Sequence, residues 1–152
     1  MVYTGYVAYN LPMKDTIFGK IIRREIPAEI VYEDDATLAF LDIAPNAPGH
    51  TLVVPKEPSE NMRDISDTSF LAVMQTTKKI ATAIEQVMGA DGFNILVNNG
   101  TEAGQQVFHT HVHIIPRYKS AAFQKFPPGK PNVKVTPEEL AEIANKIRGT
   151  LN

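Results

Sequence analysis

With 152 residues and a formal net charge of -2, the chain has the length of one domain, and its 43% apolar and 21% charged content is that of a soluble globular protein. No basic run exceeds two residues, which argues against a nucleic-acid or anionic-membrane surface. The absence of cysteine excludes disulfides, Cys-ligated zinc, iron–sulfur clusters and thiol catalysis.

No apolar run approaches the ~20 residues that a membrane-spanning helix needs. Met1 to Pro12 is aromatic-rich but lacks a basic start and an unbroken apolar stretch, so residues 1–14 are expected to be a short extension and the cytoplasm the compartment. A single domain is expected over residues 15–152. Thr16 to Glu25 spaces Ile17, Ile21 and Ile22 about one turn apart behind an Asp15-Thr16 pair able to cap, and predicts a short helix ended by Pro27. Glu29–Glu33, Thr37–Ile43 and Thr51–Val54 are β-rich runs divided by Asp34-Asp35 and by the turn-rich Ala44–Gly49, and predict sequential antiparallel strands.

From Asp67 to Met88 the residues Phe70, Met74, Thr77, Ile80, Ala81, Ile84 and Val87 follow a helical period, and Gly89 follows as a stop. Phe93–Asn98 and Val107–Arg117 predict two further strands joined by a Gly-bearing loop, with Pro116 ending the second. Ala121–Lys134, with Pro127, Pro128, Gly129 and Pro131, is expected to be irregular. Thr136-Pro137-Glu138-Glu139 has the form of a capping box, and Leu140, Ile143, Ala144 and Ile147 make the apolar stripe of a terminal helix. Strands and helices do not alternate as in a parallel βαβ protein, so the expected class is antiparallel α+β.

The histidines fall at His50 and at His109, His111 and His113 inside one predicted strand. Strand alternation would put those three on one face, roughly 7 Å apart, with Thr110, Val112 and Ile114 on the other. Three imidazoles in register suit either of two chemistries. Imidazole nitrogens can hold zinc or copper, but the nearest carboxylate in sequence is Glu102 and no ligand-spaced Asp or Glu accompanies the three, which makes metal the lesser reading. The other is nucleophilic attack by a neutral imidazole whose neighbour orients it or moves protons. Gly104-Gln105-Gln106, entering the histidine segment, could turn backbone N–H groups toward a phosphate.

His109-Thr110-His111-Val112-His113-Ile114-Ile115 resembles the alternating His-apolar signature of the histidine triad (HIT) superfamily of nucleotide hydrolases and transferases, and Asp42 to Lys56 resembles the segment upstream of it. The similarity runs from about Asp15 to Tyr118 and is nearest to the purine nucleoside phosphoramidase-like branch. It implies a HIT-like fold of about five antiparallel strands, one long helix and two shorter ones. It also implies His111 as nucleophile on the α-phosphate of a nucleotide, His113 as a phosphate contact, and His109 and His50 as supporting histidines. By the same resemblance Gly104, Gln105, Gln106 and Val107 belong to the phosphate loop, and Asn98 lies beside ribose and phosphates. Asp42 accepts ribose hydroxyls, and Ile17, Phe18, Ile21, Phe40 and Ile43 surround the base. Thr110 departs from the usual aliphatic residue, and Gln106 stands where the phosphoramidase branch often has Ser or Thr near the leaving group.

The implied activity is hydrolysis of purine nucleoside phosphoramidates, AMP or GMP derivatives, through a nucleotidyl-histidine intermediate, with no cofactor required and no metal. Dinucleoside polyphosphate hydrolysis, nucleotidyl transfer to another acceptor, and a nucleotide-binding regulatory module with little turnover are the alternatives. A homodimer is implied, with the Asp67–Met88 helix and the Phe93–Asn98 strand near its two-fold axis; neither nucleic acid nor membrane is expected as a partner.

Overall fold

The computed structural model describes residues 15–119 and 133–151. The expected N-terminal extension and most of the Pro-rich Ala121–Lys134 segment lie outside them. In chain order the elements are α1 (Ile17–Ile22), β1 (Ile30–Glu33), β2 (Thr37–Leu41), β3 (Thr51–Pro55), α2 (Asp67–Met88), β4 (Gly92–Leu96), a 3-10 turn (Thr101–Ala103), β5 (Val112–Arg117) and α3 (Pro137–Leu151). The five strands form one antiparallel sheet in the order β1-β2-β3-β5-β4, which is the expected α+β class.

The central strands β2 and β3 are buried at every position because both faces of the sheet are covered. One face carries Ala39, Leu41, Val53, Val112 and Ile114 against α2 and α3. The other carries Leu38, Phe40, Leu52 and Val54, beneath Phe18 and Ile21 of α1. His113 pairs with Leu52 across the β3–β5 ladder and so belongs to the α1 side. None of the described helices is long and apolar enough to cross a membrane.

Helix α2 has the expected ends: Ser66 Oγ accepts the Ser69 N–H at 3.2 Å, and Gly89 closes it in the left-handed region at φ 64. Its buried stripe is rotated from the expected one. Val73, Thr76, Thr77, Ile80, Ala81, Ala83 and Ile84 are buried, while Phe70, Met74 and Val87 are half-buried, because the helix packs on the sheet and on α3 together. The α3 capping box is formed in both directions, Glu139 N–H to Thr136 Oγ1 at 3.2 Å and Thr136 N–H to Glu139 Oε2 at 2.7 Å.

Three expectations are corrected. Helix α1 ends at Ile22 rather than at Pro27, because Arg24 turns into the left-handed region at φ 63. Pro116 does not end β5. It sits beyond the last β3 partner and opposite Phe93, where a missing N–H breaks no β3 ladder bond, and the strand continues to Arg117. Most consequentially, the strand read as Val107–Arg117 begins at Val112, so His109 and His111 precede it; their rings nonetheless gather with His113 on the α1 side, Phe18 lying 6.4 Å from the His109 centroid and 4.9 Å from that of His111, and the His111 and His113 centroids 4.9 Å apart.

Candidate active site

Asp42 and His50 flank the loop between β2 and β3, one rung beyond the Leu41–Thr51 pair, and the Asp42 N–H donates to the His50 carbonyl at 2.9 Å. That loop also fixes the His50 ring, since the Asn46 N–H donates to His50 Nδ1 at 3.0 Å. A neutral ring that accepts at Nδ1 carries its proton on Nε2. His50 Nε2–H therefore donates to His113 Nδ1 at 2.9 Å, which places the His113 proton on Nε2 in turn. Asp42 Oδ2 lies 3.6 Å from His50 Nε2, and Asp42 Oδ1 accepts from the Ala44 N–H at 2.8 Å.

His111 is set by a different contact. Its Nδ1–H donates to the His109 carbonyl at 2.7 Å, leaving Nε2 with its lone pair. The ring is wedged between Phe18 and His113, with centroids 4.9 Å from each and edge-on geometry. His109 donates from Nε2 to the Pro55 carbonyl at 2.9 Å and serves as a tie to β3. Burial pushes the pKa of all four histidines below the ordinary 6.5, most strongly for His113, down to about 3, where charges on His111 and His50 act in the same direction. At neutral pH the cluster is a set of uncharged imidazoles, and His111, with its Nδ1–H taken by the His109 carbonyl, keeps its lone pair at Nε2.

The loop from Gly100 to Val107 runs into this cluster. Neither the Gln106 nor the Val107 amide hydrogen has a protein acceptor among the described residues, and Gly104 takes φ +87, open to glycine at no steric cost. Asn98 Nδ2 donates to the Gly104 carbonyl at 3.4 Å, which brings Asn98 to the loop. Gln106 and Gly104 are exposed; Gln105 is buried. Phe18, Ile21 and Phe40 share one cluster, Phe18 and Phe40 edge-on at 5.5 Å. Ile17 and Ile43, both exposed, stand outside that cluster.

The segment Glu57–Asp64 carries no signal in its sequence, yet it backs Thr110 and the Gly100–Val107 loop. Ser59 accepts the Thr110 N–H at 2.8 Å and donates Oγ–H to Thr110 Oγ1 at 2.7 Å, and the Met62 N–H donates to Asn99 Oδ1 at 2.9 Å. Polar residues without periodicity look like a surface turn, and only the burial of Ser59 and Asn61 shows otherwise.

Asp42, His50 and His113 each offer one ligand atom within 4.8 Å of the others. The tautomers fit a cation poorly. A metal on His50 Nε2 would move that proton to Nδ1, where it would face the Asn46 N–H.

An antiparallel α+β domain that gathers imidazoles at the ends of β3 and β5, beside a loop with amides unpaired among the described residues, is a histidine-triad architecture. The HIT domain model matches residues 23–120, and the chain belongs to the HIT family. It is 50% identical over 134 residues to an uncharacterized HIT-like protein of Methanocaldococcus jannaschii, spanning 88% of this chain and 98% of that one. It is 40% identical over 136 residues to the adenosine 5'-monophosphoramidase hnt1 of Schizosaccharomyces pombe, spanning 87% and 98%. The crystal structure of a Hit-like protein from Bartonella henselae superposes with a TM-score of 0.79 at 40% identity, covering 90% of this chain and 96% of that chain.

Proposed function

We propose that the protein is a nucleotide hydrolase or transferase that attacks the α-phosphate of purine nucleoside phosphoramidates through a covalent nucleotidyl-His111 intermediate. The observation that carries the reading is the His111 ring, with Nδ1–H anchored on the His109 carbonyl and Nε2 left as a neutral, buried lone pair. The name of the fission-yeast relative points to the same substrate class.

His111 Nε2 bonds to phosphorus as the bond to the leaving nitrogen breaks, and that nitrogen takes a proton from solvent and departs as an amine. Water then bonds to phosphorus and releases one proton to solvent, the Nε2 lone pair returns to His111, and AMP or GMP leaves. His113, its Nε2–H oriented by the chain from Asn46 through His50, donates to a phosphate oxygen. The Gln106 and Val107 amides receive the charge that develops on phosphate oxygens, a contribution of roughly 3 kcal/mol per well-placed donor. Phe18, Ile21 and Phe40, with Ile17 and Ile43 at the rim, face the base; Asp42 accepts ribose hydroxyls and Asn98 lies beside the phosphates. No metal or other cofactor takes part.

The working form is a cytoplasmic homodimer joined through α2 and β4. Support comes from Leu71 on α2 and from Phe93 and Ile95 on the edge strand β4, all exposed in the single chain.

AMP release from an adenosine phosphoramidate, with and without chelator, tests the chemistry. Turnover should be insensitive to chelator and should fall by at least ~10³-fold in His111→Ala, with AMP binding retained. Normal turnover by that variant removes His111 as the nucleophile.

A further inference from the structure

Gln105 is 3% exposed although its neighbours Gly104 and Gln106 are both exposed. Its side-chain oxygen accepts from the Gly100 N–H at 2.8 Å and from Asn61 Nδ2 at 3.3 Å. Its side-chain nitrogen donates to the Glu60 carbonyl at 2.7 Å and to the Val107 carbonyl at 3.0 Å, and its backbone N–H donates to the Gly100 carbonyl at 3.1 Å. A primary amide has two acceptor and two donor positions, and all four are used. The amide has one orientation only, since exchanging O and N would set NH₂ against the Gly100 N–H and oxygen against two carbonyls. Nothing remains with which this side chain could bind a ligand.

The four partners lie at both ends of the loop, Gly100 and Val107, and on the Glu60–Asn61 segment behind it. Between those ends are the Gln106 and Val107 amides that have no protein acceptor among the described residues. We propose that Gln105 is a positioning residue, whose side-chain amide, clasped by Asn61 and the Glu60 carbonyl, holds the Gly100–Val107 backbone in the shape that receives the substrate's phosphate. This rests on the nucleotide reading above and assigns the side chain no substrate contact. Segment 57–64 is thereby part of the machinery: its Glu60 and Asn61 set the loop, and its Ser59 sets Thr110, between His109 and His111.

Because the loop would receive phosphate and not the nucleoside, AMP and adenosine binding separate the clasp from general loosening. Both ligands are titrated calorimetrically into the wild type, Gln105→Met and Asn61→Ala, and turnover of an adenosine phosphoramidate is followed alongside. The wild type is expected to prefer AMP. Gln105→Met should lose about 10-fold or more of that preference at unchanged adenosine affinity, with kcat reduced by about 100-fold, the usual consequence of misplacing reacting groups by an ångström. Asn61→Ala, which removes one of the four bonds from outside the loop, should lose about 3-fold of the preference.

A folded Gln105→Met with wild-type preference and kcat overturns the clasp, as does an equal loss of affinity for both ligands. If circular dichroism shows Gln105→Met unfolded, Asn61→Ala decides, and an unchanged preference there overturns the clasp. A wild type that binds AMP no better than adenosine overturns both the clasp and the nucleotide reading. A wild type that prefers AMP but releases none from the phosphoramidate overturns the chemistry alone, and the preference still judges the clasp.

Discussion

Acid should destabilise the histidine cluster with a sign and size set by burial. His113 titrates at about 3 in the folded protein against an ordinary 6.5, because its ring is desolvated and faces His111 and His50. The folded value lies below the unfolded one, so the unfolded chain takes up the proton first. The resulting stability is fully present above about pH 6.5 and is lost as the pH falls toward 3. Integrated from pH 7 to pH 5, the loss from His113 alone is about 2 kcal/mol. His50, His109 and His111 are depressed in the same direction and add to the total.

His113→Gln isolates the contribution of one ring, since the amide oxygen can still accept from His50 Nε2–H. Urea unfolding of both proteins at pH 7 and pH 5 should show the wild type losing about 2 kcal/mol more than the variant, a difference of about 1 M in midpoint for a slope near 2 kcal/mol/M. Equal losses would refute the burial account. Nitrogen-15 shifts of the ring atoms at pH 7 check the other half of the reasoning, with the proton expected on Nδ1 of His111 and on Nε2 of His50 and His113.

Two glycines in the left-handed region should respond unequally to alanine. At Gly89, φ 64, a Cβ meets nothing within 4 Å, so thermal melting should report only the backbone cost of about 1 kcal/mol. At Gly49, φ +90, the Cβ falls 3.3 Å from Pro116 Cγ and 3.5 Å from Ile84 and Met88, and the loss should rise to roughly 2 to 4 kcal/mol; equal melting shifts would contradict this. Changing Phe93→Asp together with Ile95→Asp should yield a folded monomer by sedimentation equilibrium, whereas an unaltered dimer would remove β4 from the interface.

The parts of the fold legible in the sequence are those fixed by neighbours along the chain. Helix α2 has its helical period and its Gly89 stop written locally, and the Ser66 cap falls immediately before the expected start at Asp67. The α3 capping box is likewise a four-residue matter. The whole histidine segment reads as strand because His-x-His-x-His alternates as a strand does, while the groups that hold residues 109–111 lie more than fifty positions upstream, at Pro55 and Ser59. The site chemistry divides in the same way. Which residues gather was readable, but the tautomers were not, because the Asn46 amide and the His109 carbonyl that set them are backbone groups without a sequence signature.

The early end of the β3–β5 ladder is itself what prepares His111. The last register pair is Val53 with Val112, and continuing it would set Thr110 opposite Pro55. Instead the Thr110 N–H turns to the Ser59 carbonyl, and the Pro55 carbonyl is taken by the His109 ring. In a regular strand, side chains stand perpendicular to the sheet while carbonyls lie within it, directed at the neighbouring strand, so a ring cannot reach the carbonyl two residues back. Once the chain has peeled away, His111 Nδ1–H reaches the His109 carbonyl at 2.7 Å and the lone pair is confined to Nε2. A strand running straight through all three histidines would present the same residues with no backbone acceptor for His111 Nδ1, dividing the neutral ring between two tautomers. The irregular backbone at residues 109–111 therefore supplies what the histidine spacing alone lacks: a single tautomer of His111, with its lone pair at Nε2.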